Sequence, residues 1–184
     1  HKSFPDAGFM EQDAAIPDAR MSSLASNDCH IALDRMAKAQ YAWCQCFAAF
    51  IPDHMPADWG WQVFCAVRDF FQSQLAEHAA LIEQVHDARD IRGIVDSGKC
   101  AGMFTVEGGS FIEGSLDRLH AAADAGVKML TLTWNGKNAI ASGNVTTDGL
   151  STFGAQVVRA MEQRRMVVDV SHLNDASFWD VVKA

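Results

Sequence analysis

Short apolar runs alternate with longer amphipathic segments from about residue 39 to the end of the chain. Such runs predict strands buried on both faces, and the segments between them predict helices, so the pattern indicates βα units around a parallel sheet. The predicted strands are 41–51, 101–107, 127–133 and 166–172. The predicted helices cover 61–89 and the segment from 115 to the glycine at 126, and two more begin at 151 or 152 and near 174. Residues 1–27 have room for a first strand but show no clear pattern.

The number of units leaves two α/β architectures open. An open doubly wound sheet is complete with five strands, whereas a (β/α)8 barrel needs eight units and typically about 250 residues. A length of 184 residues favours the open sheet. Polar residues at the ends of successive strands, and the lack of a glycine-rich fingerprint after the first strand, favour the barrel.

Composition and charge exclude several classes of protein. A hydrophobic content of 49% with four prolines indicates a globular domain rather than a disordered chain. The net charge of −8 and the lack of clustered Lys and Arg argue against a nucleic-acid partner. No apolar stretch approaches the length of about 20 residues that spans a membrane, and no leader segment is recognisable.

Cysteine usage indicates a reducing compartment. The five cysteines are an odd number without a C-x-x-C pair, which favours neither a zinc ribbon nor a disulfide framework. Cys44 and Cys46 alternate with apolar residues and are expected to fill core volume as free thiols. We therefore expect a cytoplasmic protein.

Two predicted strands end in side chains that can bind a metal ion. Glu107 ends one strand and is followed by Gly108 and Gly109, and His172 ends another. Ligands bind at the carboxyl ends of parallel strands, and a carboxylate with an imidazole suits Zn²⁺, so the two residues suggest a shared metal site. The alternatives are that backbone N–H groups of the glycine turn satisfy Glu107, and that His172 only caps or hydrogen-bonds the following segment. The long polar loop 134–149 follows a strand end and is expected to be functional.

Four motifs taken together resemble one enzyme family. The segments are T-V-E-G-G at 105–109, G-V-K-M-L-T-L-T-W-N at 126–135, G-L-S-T-F-G at 149–154 and V-D-V-S-H at 168–172. In this order and spacing they resemble the membrane (renal-type) dipeptidase family, peptidase M19, whose members are amidohydrolase-like TIM barrels. The resemblance covers roughly residues 27–184.

The resemblance implies a fold and a metal site. Residues 1–184 would form a single domain, the N-terminal portion of a TIM (β/α)8 barrel with about four to five βα units, lacking its C-terminal strands. Two zinc ions would lie at the barrel mouth, with Glu107 bridging both as the catalytic carboxylate and His172 binding one. A metal-bridging water or hydroxide would attack the peptide bond of a dipeptide. His1 is a candidate further ligand, although Ser3 stands where the family has an Asp.

The resemblance also implies substrate contacts and missing parts. Trp134 stands where characterised animal members have a substrate-orienting His, and Trp134 and Asn135 are the candidate substrate-binding residues. Arg165 replaces the Gly usual before the fifth strand. The other half of the barrel is expected from further sequence or from another chain, and a homodimer is a further expectation. Two other hypotheses are a catalytically inactive barrel homologue that acts as a binding or structural subunit, and an open α/β small-molecule binder.

Overall fold

The computed structural model describes residues 23–27, 29–39 and 43–184. His1 and Ser3, and most of the segment in which a first strand was expected, lie outside these residues. The elements in chain order are α1 (Leu33–Lys38), β1 (Cys44–Phe50), α2 (Ala57–Glu77), β2 (Ile82–Gln84), α3 (Asp90–Asp96), β3 (Cys100–Glu107), a 3₁₀ turn (Gly109–Ile112), α4 (Leu116–Asp124), β4 (Val127–Thr131), α5 (Thr152–Gln163), β5 (Val167–Asp169) and α6 (Asp175–Lys183).

The sheet is parallel throughout, and its order follows the chain. Neighbouring strands run β1, β3, β4, β5, and β2 also pairs with β3. β1 runs along one edge of β3, so the short β2 and β4 divide the other edge, at 100–102 and 104–107 respectively. Apart from β2, each strand along this path follows the one before it in the chain, and the order does not reverse at a switch point as that of a doubly wound sheet does. The architecture is therefore a partial α/β barrel, and the open-sheet alternative is wrong.

The helices cover one face of the sheet. Phe104, Val106 and Leu130 are almost fully buried on this outer face and belong to one core cluster with residues of α2, α4 and α5. Aromatic rings build its centre, and the Phe104 ring stacks on that of Phe71 at a centroid distance of 4.9 Å and on that of Phe64 at 6.1 Å. Each such side chain contributes about 1.5–3 kcal/mol by leaving water.

The opposite, inner face is open near its edges. The parallel register aligns Cys44, Cys46 and Ala48 of β1 with alternate residues of β3, so their side chains share the inner face, and all three are exposed. Val167 lies on the same face of β5 and is 53% exposed. The prediction of strands buried on both faces is confirmed for the central β3 and wrong for β1 and β5, and Cys44 and Cys46 do not fill the core. The reason is that α2, α4 and α5 pack on the outer face, whereas on the inner face α3 contacts only the start of β3, at Ala101 and Met103.

The predicted helix 61–89 is wrong in its second part, which is a strand and a turn. Helix α2 ends at Glu77, β2 follows at Ile82–Gln84, and α3 begins at Asp90. The N–H of Cys100 donates to the carbonyl of Leu81, and that of Val85 donates to the carbonyl of Gly102. The apolar residues at 81, 82 and 85 fit a helix or a strand equally well, and pairing with β3 selects the strand.

The ends of the helices agree better with the sequence-based predictions than the extent of this helix does. The side chain of Ser151 accepts a hydrogen bond from the N–H of Gly154, as an N-cap should. Ser115 is at the N-cap of α4, but its side chain makes no capping bond. Arg165 closes α5 in the left-handed region, with φ 54°. Its N–H donates to the carbonyl of Glu162, which completes a Schellman-type ending despite the missing glycine.

Within the described residues, no helix is long and apolar enough to cross a membrane.

Candidate metal centre

A tightly packed turn after β3 positions Glu107 at the rim of the partial barrel, where the carboxyl ends of the strands meet. The N–H groups of Gly108 and Gly109 donate to the carbonyls of Thr131 and Leu132, at 3.1 and 3.2 Å. A Cβ on Gly108, whose φ is 100°, would lie 1.9 Å from the carbonyl oxygen of Ile51. The glycines are thus required by the close approach of neighbouring strand ends. Their N–H groups are engaged by carbonyls and do not satisfy the Glu107 carboxylate, which removes one alternative for that residue.

His172 lies in the turn after β5, supported by Asp169. The N–H and hydroxyl of Ser171 both donate to Oδ1 of Asp169, at 3.0 and 2.7 Å. The hydroxyl of Thr131 donates to Oδ2 at 2.5 Å. Burial opposes ionisation of this carboxyl, but the hydrogen bonds outweigh it, so the pKa of Asp169 is lowered. Asp169 therefore shapes the turn, as an ionised acceptor.

The backbone of His172 is itself unusual. Its φ is 69°, a left-handed conformation that a residue with a Cβ adopts at a cost of roughly 1–2 kcal/mol. Flanking backbone bonds hold it there, since the N–H of Leu173 donates to the carbonyl of Val170 and Leu173 forms a bridge with Gly143. The strained geometry turns the imidazole toward Glu107.

The two predicted ligands come together. Nε2 of His172 lies 3.4 Å from Oε1 of Glu107, and both side chains are about one-third exposed. A charge-assisted hydrogen bond between such groups usually spans about 2.7–2.9 Å, so this contact is long for one. Zinc bonds to nitrogen and oxygen of about 2.0–2.2 Å, at the tetrahedral angle, place two donors about 3.4 Å apart. The separation therefore fits two ligands of one zinc ion.

The other ring nitrogen of His172 faces an acceptor. Nδ1 lies 3.3 Å from Oδ1 of Asn135. An amide oxygen can only accept, so a hydrogen bond between these atoms requires the hydrogen on Nδ1, which leaves the lone pair of a neutral ring on Nε2. That lone pair then points at a carboxylate oxygen, an arrangement that a cation between the two atoms would stabilise.

Trp134 and Asn135, predicted to bind substrate, lie beside this pair. The Trp134 ring is 6.3 Å from the imidazole of His172, centroid to centroid, and contacts Phe50 edge-on at 5.5 Å. The structure thus brings Glu107, His172, Trp134 and Asn135 to one rim, where the carboxyl ends of β1, β3, β4 and β5 meet.

Asp53 also organises this rim, and sequence reasoning missed it. Its carboxylate accepts the N–H of Trp134 at 3.0 Å, the N–H of Gly136 at 2.8 Å and the side-chain amide of Asn138 at 3.1 Å. The one available signal was a carboxylate directly after the β1 strand, which reads equally well as an ordinary turn residue.

The site contains two candidate ligands, Glu107 and His172, within the described residues. No group of three or more His, Cys, Asp or Glu able to hold a metal ion occurs among residues 23–27, 29–39 and 43–184. His1 lies outside them, so its predicted role as a ligand stays a prediction.

Known proteins are similar to this chain in sequence and in fold. The chain is 30% identical over 119 residues to dipeptidase tcpJ of Claviceps purpurea, a match covering 62% of this chain and 28% of that protein. The crystal structure of dipeptidase AC, a metallopeptidase of family M19, superposes with a TM-score of 0.78 at 23% identity, covering 84% of this chain and 50% of that one. A metallopeptidase of Rhodobacter sphaeroides, bound to a phosphinate mimic of the dipeptide L-Ala-D-Ala, gives a TM-score of 0.78 at 22% identity and coverages of 86% and 54%.

The two solved structures establish the fold, and the chain spans about half the length of each. A match to the sequence pattern shared by the whole family is more specific evidence of membership than similarity to any single relative. Because the sequence model of the membrane dipeptidase family, peptidase family M19, matches residues 8–184, the chain belongs to that family.

Proposed function

We propose that this protein is a zinc-dependent dipeptidase in which Glu107 bridges two zinc ions and His172 binds one of them. The observation that carries the proposal is the 3.4 Å separation between Oε1 of Glu107 and Nε2 of His172 at the carboxyl ends of two strands. Family membership supports it, as does the name of the similar Claviceps purpurea protein, a dipeptidase. These findings do not favour an inactive homologue.

The residues at the rim have different roles in this proposal. Glu107 and His172 hold the metal, and Asp169 keeps the turn of His172 in place. Zinc, when bound, would supply Lewis acidity and an activated water for hydrolysis. Trp134 and Asn135 contact the dipeptide, and because an indole N–H can donate but not titrate, Trp134 can orient a substrate without transferring a proton to it.

The remaining parts of the site belong to the proposal as well. Two side chains cannot complete even one tetrahedral zinc site, so further ligands must come from residues outside those described, from further sequence or from another chain. His1 is one candidate, and a homodimer is one possible source of a second chain. All five cysteines are unpaired, which supports a reducing compartment such as the cytoplasm.

The test combines metal content with peptide hydrolysis in the full-length protein. We expect about two zinc ions per chain, hydrolysis of L-Ala-L-Ala or L-Ala-D-Ala, loss of activity after dialysis against a chelator, and recovery with zinc. Glu107→Gln and His172→Asn should each reduce bound zinc and lower kcat/KM at least about 1000-fold. Asn suits the second variant because it tolerates a left-handed backbone.

Glu113→Gln is the matched control, since Glu113 is exposed and lies six residues beyond Glu107. It should retain both metal and activity. Wild-type protein that binds no zinc, or a Glu107→Gln variant with full zinc content and activity, would overturn the proposal.

A further inference from the structure

The starting observation is the contact between Asn135 and the face of His172 opposite the metal site. Oδ1 of Asn135 lies 3.3 Å from Nδ1, while Nε2 lies 3.4 Å from Glu107. A free histidine exchanges its hydrogen between the two ring nitrogens. Only the form with hydrogen on Nδ1 presents a lone pair toward Glu107, and an acceptor at Nδ1 favours that form.

Asn135 is held in place from both sides by one carboxylate. Asp53, in the turn after β1, accepts the N–H groups of the residues before and after Asn135, Trp134 and Gly136. The N–H of Val145 also donates to the carbonyl of Asn135 at 3.1 Å. The backbone at Asn135 is therefore fixed relative to β1 rather than only to its own loop.

Asp53 reaches further into the same loop through a second asparagine. The amide of Asn138 donates to Asp53 and to the carbonyl of Leu132, while its oxygen accepts the N–H groups of Ile140 and Ala141. A loop of this length would otherwise have many conformations, and each would place Asn135 differently. The network selects one.

We propose that Asn135 is a positioning residue that fixes the ring orientation and tautomer of His172, and that Asp53 holds Asn135 in the position to do so. The inference rests on the proposed metal site at Glu107 and His172. It assigns a role to Asp53, which no motif indicated, and a role to Asn135 that does not require contact with substrate.

The experiment measures zinc affinity in the full-length protein, by competition with a chelator. It also measures the tautomer of His172 by ¹⁵N NMR at pH 8 in the metal-free Glu107→Ala background, because the Glu107 carboxylate would otherwise compete for the ring hydrogen at Nε2. Asn135→Leu keeps the side-chain size and removes the acceptor. It should weaken zinc binding about 10–100-fold and abolish the preference for hydrogen on Nδ1. Asn135→Asp retains an acceptor oxygen and should restore both properties nearly to wild type.

Asn144→Leu is the matched control, because Asn144 is exposed in the same loop. It should change neither measurement. Asp53→Asn exchanges an acceptor oxygen for a donor, so it should shift both measurements in the same direction as Asn135→Leu, by a smaller factor.

The outcomes separate the two proposals. If Glu107→Gln and His172→Asn leave zinc affinity unchanged, the proposed metal site fails. If those variants lose zinc while Asn135→Leu keeps wild-type affinity and the same tautomer, only the positioning role is overturned. Equal losses in Asn135→Leu and Asn135→Asp would also contradict it, because the acceptor would then be irrelevant.

Discussion

The two faces of the sheet differ in what covers them. Val106 of β3 and Val167 of β5 are both strand valines, yet Val106 is 1% exposed on the outer face and Val167 is 53% exposed on the inner face. Helices α2, α4 and α5 pack against the outer face, whereas the described residues leave the edges of the inner face exposed. Glu107 and Asp169 lie at the end of the inner face, where the turns that follow them pack on neighbouring strand ends and on the loop held by Asp53.

The contrast is between positions with close contacts and positions that remain exposed. The glycine turn at Glu107 is fixed by backbone contacts with β4 and with Ile51, all within the described residues. Substitutions at closely packed positions should therefore lower the free energy of unfolding strongly. Substitutions at exposed positions of the inner face should lower it little.

The largest effect is expected at Gly108. An alanine there would meet the carbonyl oxygen of Ile51 at 1.9 Å and would have to adopt φ 100°, so Gly108→Ala should lower the free energy of unfolding by at least about 3 kcal/mol. Gly114→Ala is the control, because φ is +70° but nothing lies within 4 Å of the added methyl. It should cost only about 1 kcal/mol. Urea unfolding measures both, and similar losses would show that close packing at the rim is unimportant.

Cysteine labelling compares the two faces directly. Burial, together with the nearby Cys44 thiol, raises the pKa of Cys100 to about 12. Because only the thiolate reacts, Cys100 should be labelled more slowly than Cys44 or Cys46 by a factor on the order of 100 or more at pH 8. Burial also raises the pKa of Cys44 and of Cys46, so their labelling rates should keep rising above the pH range of an ordinary cysteine.

Mass spectrometry after timed labelling of the 184-residue chain resolves these sites. Equal labelling of Cys100 and Cys46 would contradict the difference between the faces. Protection of Cys44 and Cys46 in the full-length protein, but not in the 184-residue chain, would show that further residues cover the inner face.

The same valine-to-alanine substitution on each of the two faces gives the comparison with the smallest expected effects. Val106→Ala should cost about 2 kcal/mol, since two buried methylene equivalents lose their packing. Val167→Ala should cost less than about 0.5 kcal/mol in the same chain, because its side chain is already half exposed. Chemical denaturation of both variants tests the difference, which vanishes if the inner face is as well packed as the outer one.

Much of this architecture follows from local sequence. The apolar runs place four of the five strands, and Ser151 and Asn174 start their helices by accepting N–H groups from the first turn. The polar ends of two strands identify Glu107 and His172, because side chains at the same ends of parallel strands converge. These inferences succeed because strand burial, capping and strand direction depend on residues near in sequence.

Other features have no local signature. Strand β2 exists because the backbone around residues 81–85 pairs with β3, and the same apolar spacing would otherwise extend a helix. The partners of Asp53 are 81 to 85 residues away, so its role emerges only when β1 and β4 end at the same rim. The left-handed backbone of His172 is likewise imposed by its surroundings, since its residue type does not favour it.

The sequence by itself therefore determined the α/β class, the parallel strands and the two side chains offered to a metal ion. Only the tertiary structure decided the strand order, the 3.4 Å approach of those side chains and the acceptor that orients the imidazole. The physical reason is that hydrophobic periodicity and capping act within a few residues, whereas hydrogen bonds between strand ends depend on which distant segments the sheet brings together.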